Sequence, residues 1–220
     1  MKVFAVVFAK ESGRSKRRLF ETFSPEECGL LSAALLEDVL VALKASVVLE
    51  VAVVGTDSSV RQVVEYCGVS FITQERSDLA SAMGKIIAWG TEKKADSLLL
   101  LPANIPLVSS SDIDRILELG SEEPSVVLSP SVKGDTNAVF LNPSNLIQVQ
   151  FGPNSFFKLV KKAIDKDVAL RFYSSREIAL DMNSEEDLCK LLEIKNNTVS
   201  KRVFEQIRLQ RTKKSCNISS

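Results

Sequence analysis

Short apolar runs alternate with longer amphipathic stretches along the chain, and this alternation is the first structural signal. Lys2–Phe8, Val47–Val54, Val69–Thr73, Leu98–Leu101, Ser125–Ser129, Asn137–Leu141 and Ala169–Tyr173 read as strands. Four consecutive leucines from Leu98 predict a strand buried on both faces, as in a parallel sheet covered by helices. Helices are expected from Ser24 to about Lys44, Asp57-Ser58 to Cys67, about Asp78 to Lys93, Ser111 to Gly120, Phe156 to Lys166 and Ser184 to about Ile194. Ser24-Pro25-Glu26-Glu27 supplies an N-cap, a first-turn proline and acids at the positive dipole end. Trp89 is expected on the buried face of its helix. Repeated βα units predict an α/β three-layer sandwich with a mostly parallel sheet and right-handed crossovers.

Composition narrows the function classes. At 220 residues the chain suits one domain over residues 1–194 and a basic C-terminal tail, 195–220, partly helical or disordered. The 28 basic and 28 acidic residues cancel, so no bulk field points to nucleic acid or membrane, and any anion site is local. Cys28, Cys67, Cys189 and Cys216 lack CxxC spacing and read as reduced thiols in a cytoplasmic protein. Residues 1–8 are too short for a signal-peptide core, and no apolar run is long enough to span a bilayer. Histidine is absent, which excludes a Ser-His-Asp triad and imidazole-ligated zinc.

Open sheets of this kind bind ligands beyond the carboxyl ends of their strands. The loop after the first strand carries Lys10, Arg14, Lys16, Arg17 and Arg18 beside Gly13. Such a loop is either a polyphosphate cradle or a solvated basic turn, and it is not a Walker loop, since GxxxxGK[ST] is absent. Pro102-Ala103-Asn104-Ile105-Pro106 follows the leucine strand; Asn104 is its polar side chain and serves either a ligand or the turn itself. Lys133-Gly134-Asp135-Thr136-Asn137 is a hydrogen-bonding loop or an ordinary hairpin turn. In Phe151-Gly152-Pro153-Asn154-Ser155, Ser155 caps a helix whose N–H groups suit a phosphate or carboxylate. Leu180-Asp181-Met182-Asn183 reads as the end of a strand with one carboxylate.

Taken together, Lys10, Lys16 and Arg18-Leu19, Pro102-Ala103 with Pro106-Leu107, Gly134-x-Thr136-Asn137-Ala138, Phe151-Gly152-Pro153-x-Ser155-Phe156 and Asp181 with Asp187-Leu188 resemble the 2-phospho-L-lactate guanylyltransferase (CofC) family, archaeal type. That family is related to the phosphoenolpyruvate guanylyltransferases. The resemblance covers about residues 1–194, and the basic tail resembles the extension of archaeal members. It implies a Rossmann-like nucleotidyltransferase fold of the nucleotide-diphospho-sugar transferase (MobA-like) kind. It also implies transfer of GMP from GTP to 2-phospho-L-lactate or phosphoenolpyruvate in coenzyme F-420 biosynthesis, with Mg²⁺ and a homodimeric enzyme. By the same resemblance, Thr136, Asn137, Gly152 and Ser155 fall where the phospho-acid is held. Lys10, Lys16 and Arg18, with Pro102 nearby, match the nucleotide-binding and catalytic positions. Asp181 matches one metal position and Asn104 occupies another.

The sequence departs from the family pattern at four places. Asn104 stands where the family loop reads Asp-Leu-Pro, Asn183 replaces the second aspartate of Asp-x-Asp, Ala80 replaces an asparagine near the nucleotide, and Lys158 stands where histidine is common. Two alternatives stay open: a related nucleotidyltransferase for another phospho-substrate, and a degenerate paralogue that binds nucleotide without turnover.

Overall fold

The computed structural model describes residues 1–9, 19, 21–56, 58–74, 79–122 and 124–218. Strands β1 (Val3–Phe8), β2 (Glu50–Gly55), β3 (Ser70–Thr73), β4 (Ser97–Pro102), β5 (Ser125–Pro130), β6 (Thr136–Asn142) and β7 (Ala169–Phe172) form one seven-stranded sheet in the order β3-β2-β1-β4-β6-β5-β7. The pairings β1–β2, β1–β4, β2–β3 and β5–β7 are parallel. Strand β6 runs antiparallel between β4 and β5. The amino end of β6 therefore lies at the same sheet edge as the carboxyl ends of β1, β4 and β5.

Helices α1 (Pro25–Lys44), α2 (Ser58–Cys67) and α4 (Ser110–Leu119) cover one face of the sheet; α3 (Leu79–Glu92) and α5 (Ser155–Asp165) cover the other. The leucine strand shows why. Leu99 and Leu101 join the first core layer and Leu98 and Leu100 the second, all fully buried. Each such side chain contributes about 2 kcal/mol of burial, which makes β4 the central tie between layers. Trp89 is half-buried against Phe4, ring centroids 5.2 Å apart. Helix α1 begins with a complete capping box, Ser24 with Glu27.

Element boundaries differ from the pattern reading in informative ways. Strand β2 starts at Glu50, because the Val47 N–H donates to Asp114 Oδ1 rather than to a strand. The expected strand at Leu180–Asn183 is instead an irregular connection after a short helix, α6 (Arg176–Ala179). Its apolar residues are spent on tertiary packing: Met182 is buried under the site loops and takes no part in the sheet. After α7 (Glu185–Glu193), residues Val199–Ile218 form α8, which packs along α1. Asp38 of α1 accepts hydrogen bonds from the Val199 and Ser200 N–H groups at 2.7 and 3.0 Å, so one helix caps the next. Further along, Arg211 forks onto Glu27 at 2.9 and 2.5 Å and reaches Thr22 O at 2.7 Å.

Candidate active site

Four loops meet at the carboxyl edge, held by backbone contacts. Ala103 N–H donates to Phe8 O at 3.1 Å, continuing the β1–β4 pairing past Pro102, which ends β4. Met182 N–H donates to Asn104 O at 2.8 Å, and Val132 N–H donates to Ala179 O at 3.1 Å. The Phe151 ring packs on Phe8 with centroids 5.0 Å apart. Lys10, Lys16 and Arg18 lie outside the described residues, as does the Ala80 side chain. The flanks of the basic segment are fixed: Ala9 N–H donates to Val54 O at 2.9 Å, and Leu19 is buried with Leu107 and Met182.

Thr136 and Ser155 come together. Both are buried, and their hydroxyl oxygens lie 2.9 Å apart. Ser155 opens α5 after Gly152 at φ +107° and Asn154 at φ +57°, a left-handed pair that turns the chain sharply into the helix. The N-cap is Asn154, without a side-chain cap, and not Ser155 as the motif suggests, because Ser155 is already the first helical residue; the Asn154 N–H donates to Asp135 Oδ1 at 3.1 Å. The first turn of α5 is thus tied to the β5–β6 turn, where Gly134 sits at φ +82°. Asn137, next along β6, faces the opposite side: its Nδ2 donates to Ile178 O of α6 at 2.8 Å. The Lys158 Nζ donates to Pro153 O at 3.2 Å.

The second cluster runs along Asn104, Asn183 and Asp181. Asn104 Nδ2 donates to Asn183 Oδ1 at 3.0 Å, and Asn183 Nδ2 donates to Asp181 Oδ2. Burial pushes the Asp181 carboxyl above its ordinary range; the Lys133 charge and the Asn183 amide pull the other way without cancelling it. Asp187 behaves oppositely. Burial there also works upward, but the Asn183 N–H, the Ser184 hydroxyl and the Lys133 ammonium prevail and hold its carboxyl low. These partners lie at 3.1, 3.0 and 3.4 Å from Asp187 Oδ2. Oxygen donors of this kind suit a hard divalent cation, which needs one or two carboxylates when phosphates supply the rest. Asp181 is the one carboxylate in the Asn104–Asn183–Asp181 chain of hydrogen bonds. Asn104 offers a neutral oxygen, and among the described residues no group of three acidic, histidine or cysteine side chains is arranged to hold a metal ion.

Lys133 and helix α6 are the parts that sequence reading missed. Lys133 was visible as a loop cation, but only the fold brings it to Asp187; α6 is four residues long and leaves no periodic signal.

A mostly parallel α/β sheet with its loops gathered at one edge is the fold of the nucleotidyltransferases. A Desulfovibrio desulfuricans protein described as a nucleotide-diphospho-sugar transferase shares the fold with a TM-score of 0.75 at 15% identity, covering 93% of this chain and 94% of that one. A Mycobacterium tuberculosis protein solved in complex with manganese matches at TM-score 0.59 and 15% identity, over 88% of this chain and 99% of its own. Residues 1–218 match the family described as "Guanylyl transferase CofC like", and the chain belongs to that family. Phosphoenolpyruvate guanylyltransferase of Rubrobacter xylanophilus is 33% identical over 192 residues, covering 87% of this chain and 94% of the relative. 2-Phospho-L-lactate guanylyltransferase of Methanothermobacter thermautotrophicus is 31% identical over 193 residues, covering 87% and 85%. Among the described residues no helix is long and apolar enough to cross a membrane.

Proposed function

We propose that this enzyme transfers a guanylyl group from GTP to a three-carbon phospho-acid, 2-phospho-L-lactate or phosphoenolpyruvate, in coenzyme F-420 assembly. The observation that carries the reading is the Thr136–Ser155 hydroxyl pair at the first turn of α5, within a chain of this family. Two hydroxyls and the first N–H groups of a helix suit a phosphate or carboxylate. An oxygen of the acceptor phosphate attacks the α-phosphorus of GTP. The bond from the α-phosphorus to the bridging oxygen breaks, and pyrophosphate leaves with the electron pair. A phosphate monoester has a second pKa of about 6, so the nucleophile is already ionised at neutral pH and no general base is required. A chain without histidine can run this reaction on positioning and charge alone.

In this reading Thr136, Gly152 and Ser155 hold the acceptor, and Asn137 positions the loop through α6. Lys10, Lys16 and Arg18 hold the triphosphate and absorb its growing charge, beside Pro102. Asp181, with the Asn104 oxygen, would hold Mg²⁺, which when bound screens the phosphate charges. On the family match alone, the reading extends to a cytoplasmic, homodimeric enzyme using GTP. Incubation with GTP, Mg²⁺ and each acid, followed by mass spectrometry, tests the reading: a guanosine diphosphate-linked acid is expected, and its absence with both acids contradicts it.

One observation favours a second reading. The chain places carboxamides at Asn104 and Asn183, where the family pattern has carboxylates, and hydrogen bonds to neutral oxygens are about half as strong as those to charged ones. A protein that binds nucleotide and acid without turnover would show saturable binding of both and no product.

A further inference from the structure

Lys133 sits on the β5–β6 turn, three residues after Pro130 and three before Thr136. The turn is rigidly built. Buried Ser131 accepts the Lys133 and Asp135 N–H groups on its Oγ at 3.2 and 3.0 Å, and its own N–H donates to Asp135 O at 2.8 Å. With the backbone so occupied, the Lys133 side chain is the part of the turn left to act. It reaches Asp187 Oδ2 at 3.4 Å, and its charge also acts on Asp181.

Asp187 does not rest on that contact alone. The Asn183 N–H and Ser184 hydroxyl hold the same oxygen at shorter range, and Lys190 lies 3.5 Å from the other. The Lys133 side chain is about half exposed, at 49%, while Asp187 is buried, at 9%, and an ion pair of this length whose cation stays in water adds little to stability. A lysine on a flexible stem, on a fixed turn, with a partner that Asn183, Ser184 and Lys190 also hold, is placed to move. The charge problem of the site gives it a destination. An acceptor phosphate held at Thr136 and Ser155 approaches an edge already carrying Asp181 and Asp187, and like charges disfavour that approach.

We propose that Lys133 is an acceptor-phosphate-binding residue, resting on Asp187 in the free protein and turning to the phosphate of the phospho-acid when it binds. This inference rests on the proposed function and extends it. It assigns Lys133 to recognition of the acid, separately from the nucleotide, and makes the β5–β6 turn the link between the acceptor loop and the Asp181–Asp187 segment.

The test compares wild type with Lys133→Met and Lys133→Arg. Pyrophosphate release gives KM for each substrate, and calorimetric titration with phosphoenolpyruvate gives binding without turnover. Lys133→Met is expected to raise KM and Kd for the acid about tenfold while changing KM for GTP less than twofold. Lys133→Arg is expected to recover most of the loss, and the melting temperature stays within about 2 °C of wild type in both. An unchanged acid KM and Kd in Lys133→Met overturns the role of Lys133, and so does an equal rise for both substrates or a large fall in melting temperature. A wild-type protein that binds the acid without turnover contradicts the transfer reaction but leaves the Lys133 comparison readable by calorimetry. A wild type that neither binds the acid nor turns over overturns both.

Discussion

The Thr136 and Ser155 hydroxyls meet at 2.9 Å between the amino end of the antiparallel strand and the first turn of α5. Neither position is near the other in sequence, so the contact exists only because β6 is inserted backwards between β4 and β5. Removing either hydroxyl leaves a buried polar partner behind, at about 1 kcal/mol of stability. Thr136→Val and Ser155→Ala are each expected to raise KM for the acid about tenfold with little change for GTP. Because the two share one hydrogen bond, the double variant should fall short of the product of the single effects. Steady-state kinetics on the four proteins checks this.

Asn104→Asp adds a carboxylate to the Asn183–Asp181 cluster. Without metal the new charge adds to that of half-buried Asp181, so the melting temperature is expected to fall. With Mg²⁺ the order reverses, since a charged oxygen holds the ion better than a neutral one. About tenfold tighter Mg²⁺ binding, roughly 1.4 kcal/mol, is expected from thermal shift across a Mg²⁺ series. Equal midpoints at every Mg²⁺ concentration would remove Asn104 from the metal position.

The Arg211–Glu27 fork pins α8 to the start of α1. Arg211 holds the Glu27 carboxyl down to about 2, against an ordinary 4.5. A depressed carboxylate contributes stability that is present above its unfolded value and lost as pH falls. The difference in stability between wild type and Arg211→Ala, on the order of 1 kcal/mol for a part-exposed pair, should therefore hold above about pH 5. It should shrink between pH 4.5 and about 2. Urea melts at a series of pH values measure it.

Gly120 ends α4 where a Cβ would overlap the buried Phe140 ring and come within 3.1 Å of Val127 Cγ2. Gly120→Ala is expected to destabilise the fold by about 1–3 kcal/mol while leaving both KM values near wild type. Denaturant melts and kinetics on the same sample separate the two effects.

The core was legible in the sequence wherever burial is two-sided. Leu98–Leu101 announces β4 because every position is apolar, and Ser24 with Glu27 announces α1 because capping chemistry is local. Leu180–Asn183 was misread as a strand, since an apolar residue buried by tertiary packing looks like one buried in a sheet; Met182 packs with Leu107 and Phe204. The loops of the candidate site were visible as separate motifs. Their connections were not, because Asn104 to Asn183 and Lys133 to Asp187 span 79 and 54 residues. The tail, 195–220, reads from its sequence only as partly helical or disordered. Its full helix is fixed by Asp38 and Glu27, which lie on another element.

Pyrophosphate release by the purified protein with GTP, Mg²⁺ and either 2-phospho-L-lactate or phosphoenolpyruvate tests the central claim most directly. Release that requires both GTP and an acid is the expected result. A folded protein that releases none, with either acid and with any nucleoside triphosphate, would contradict it.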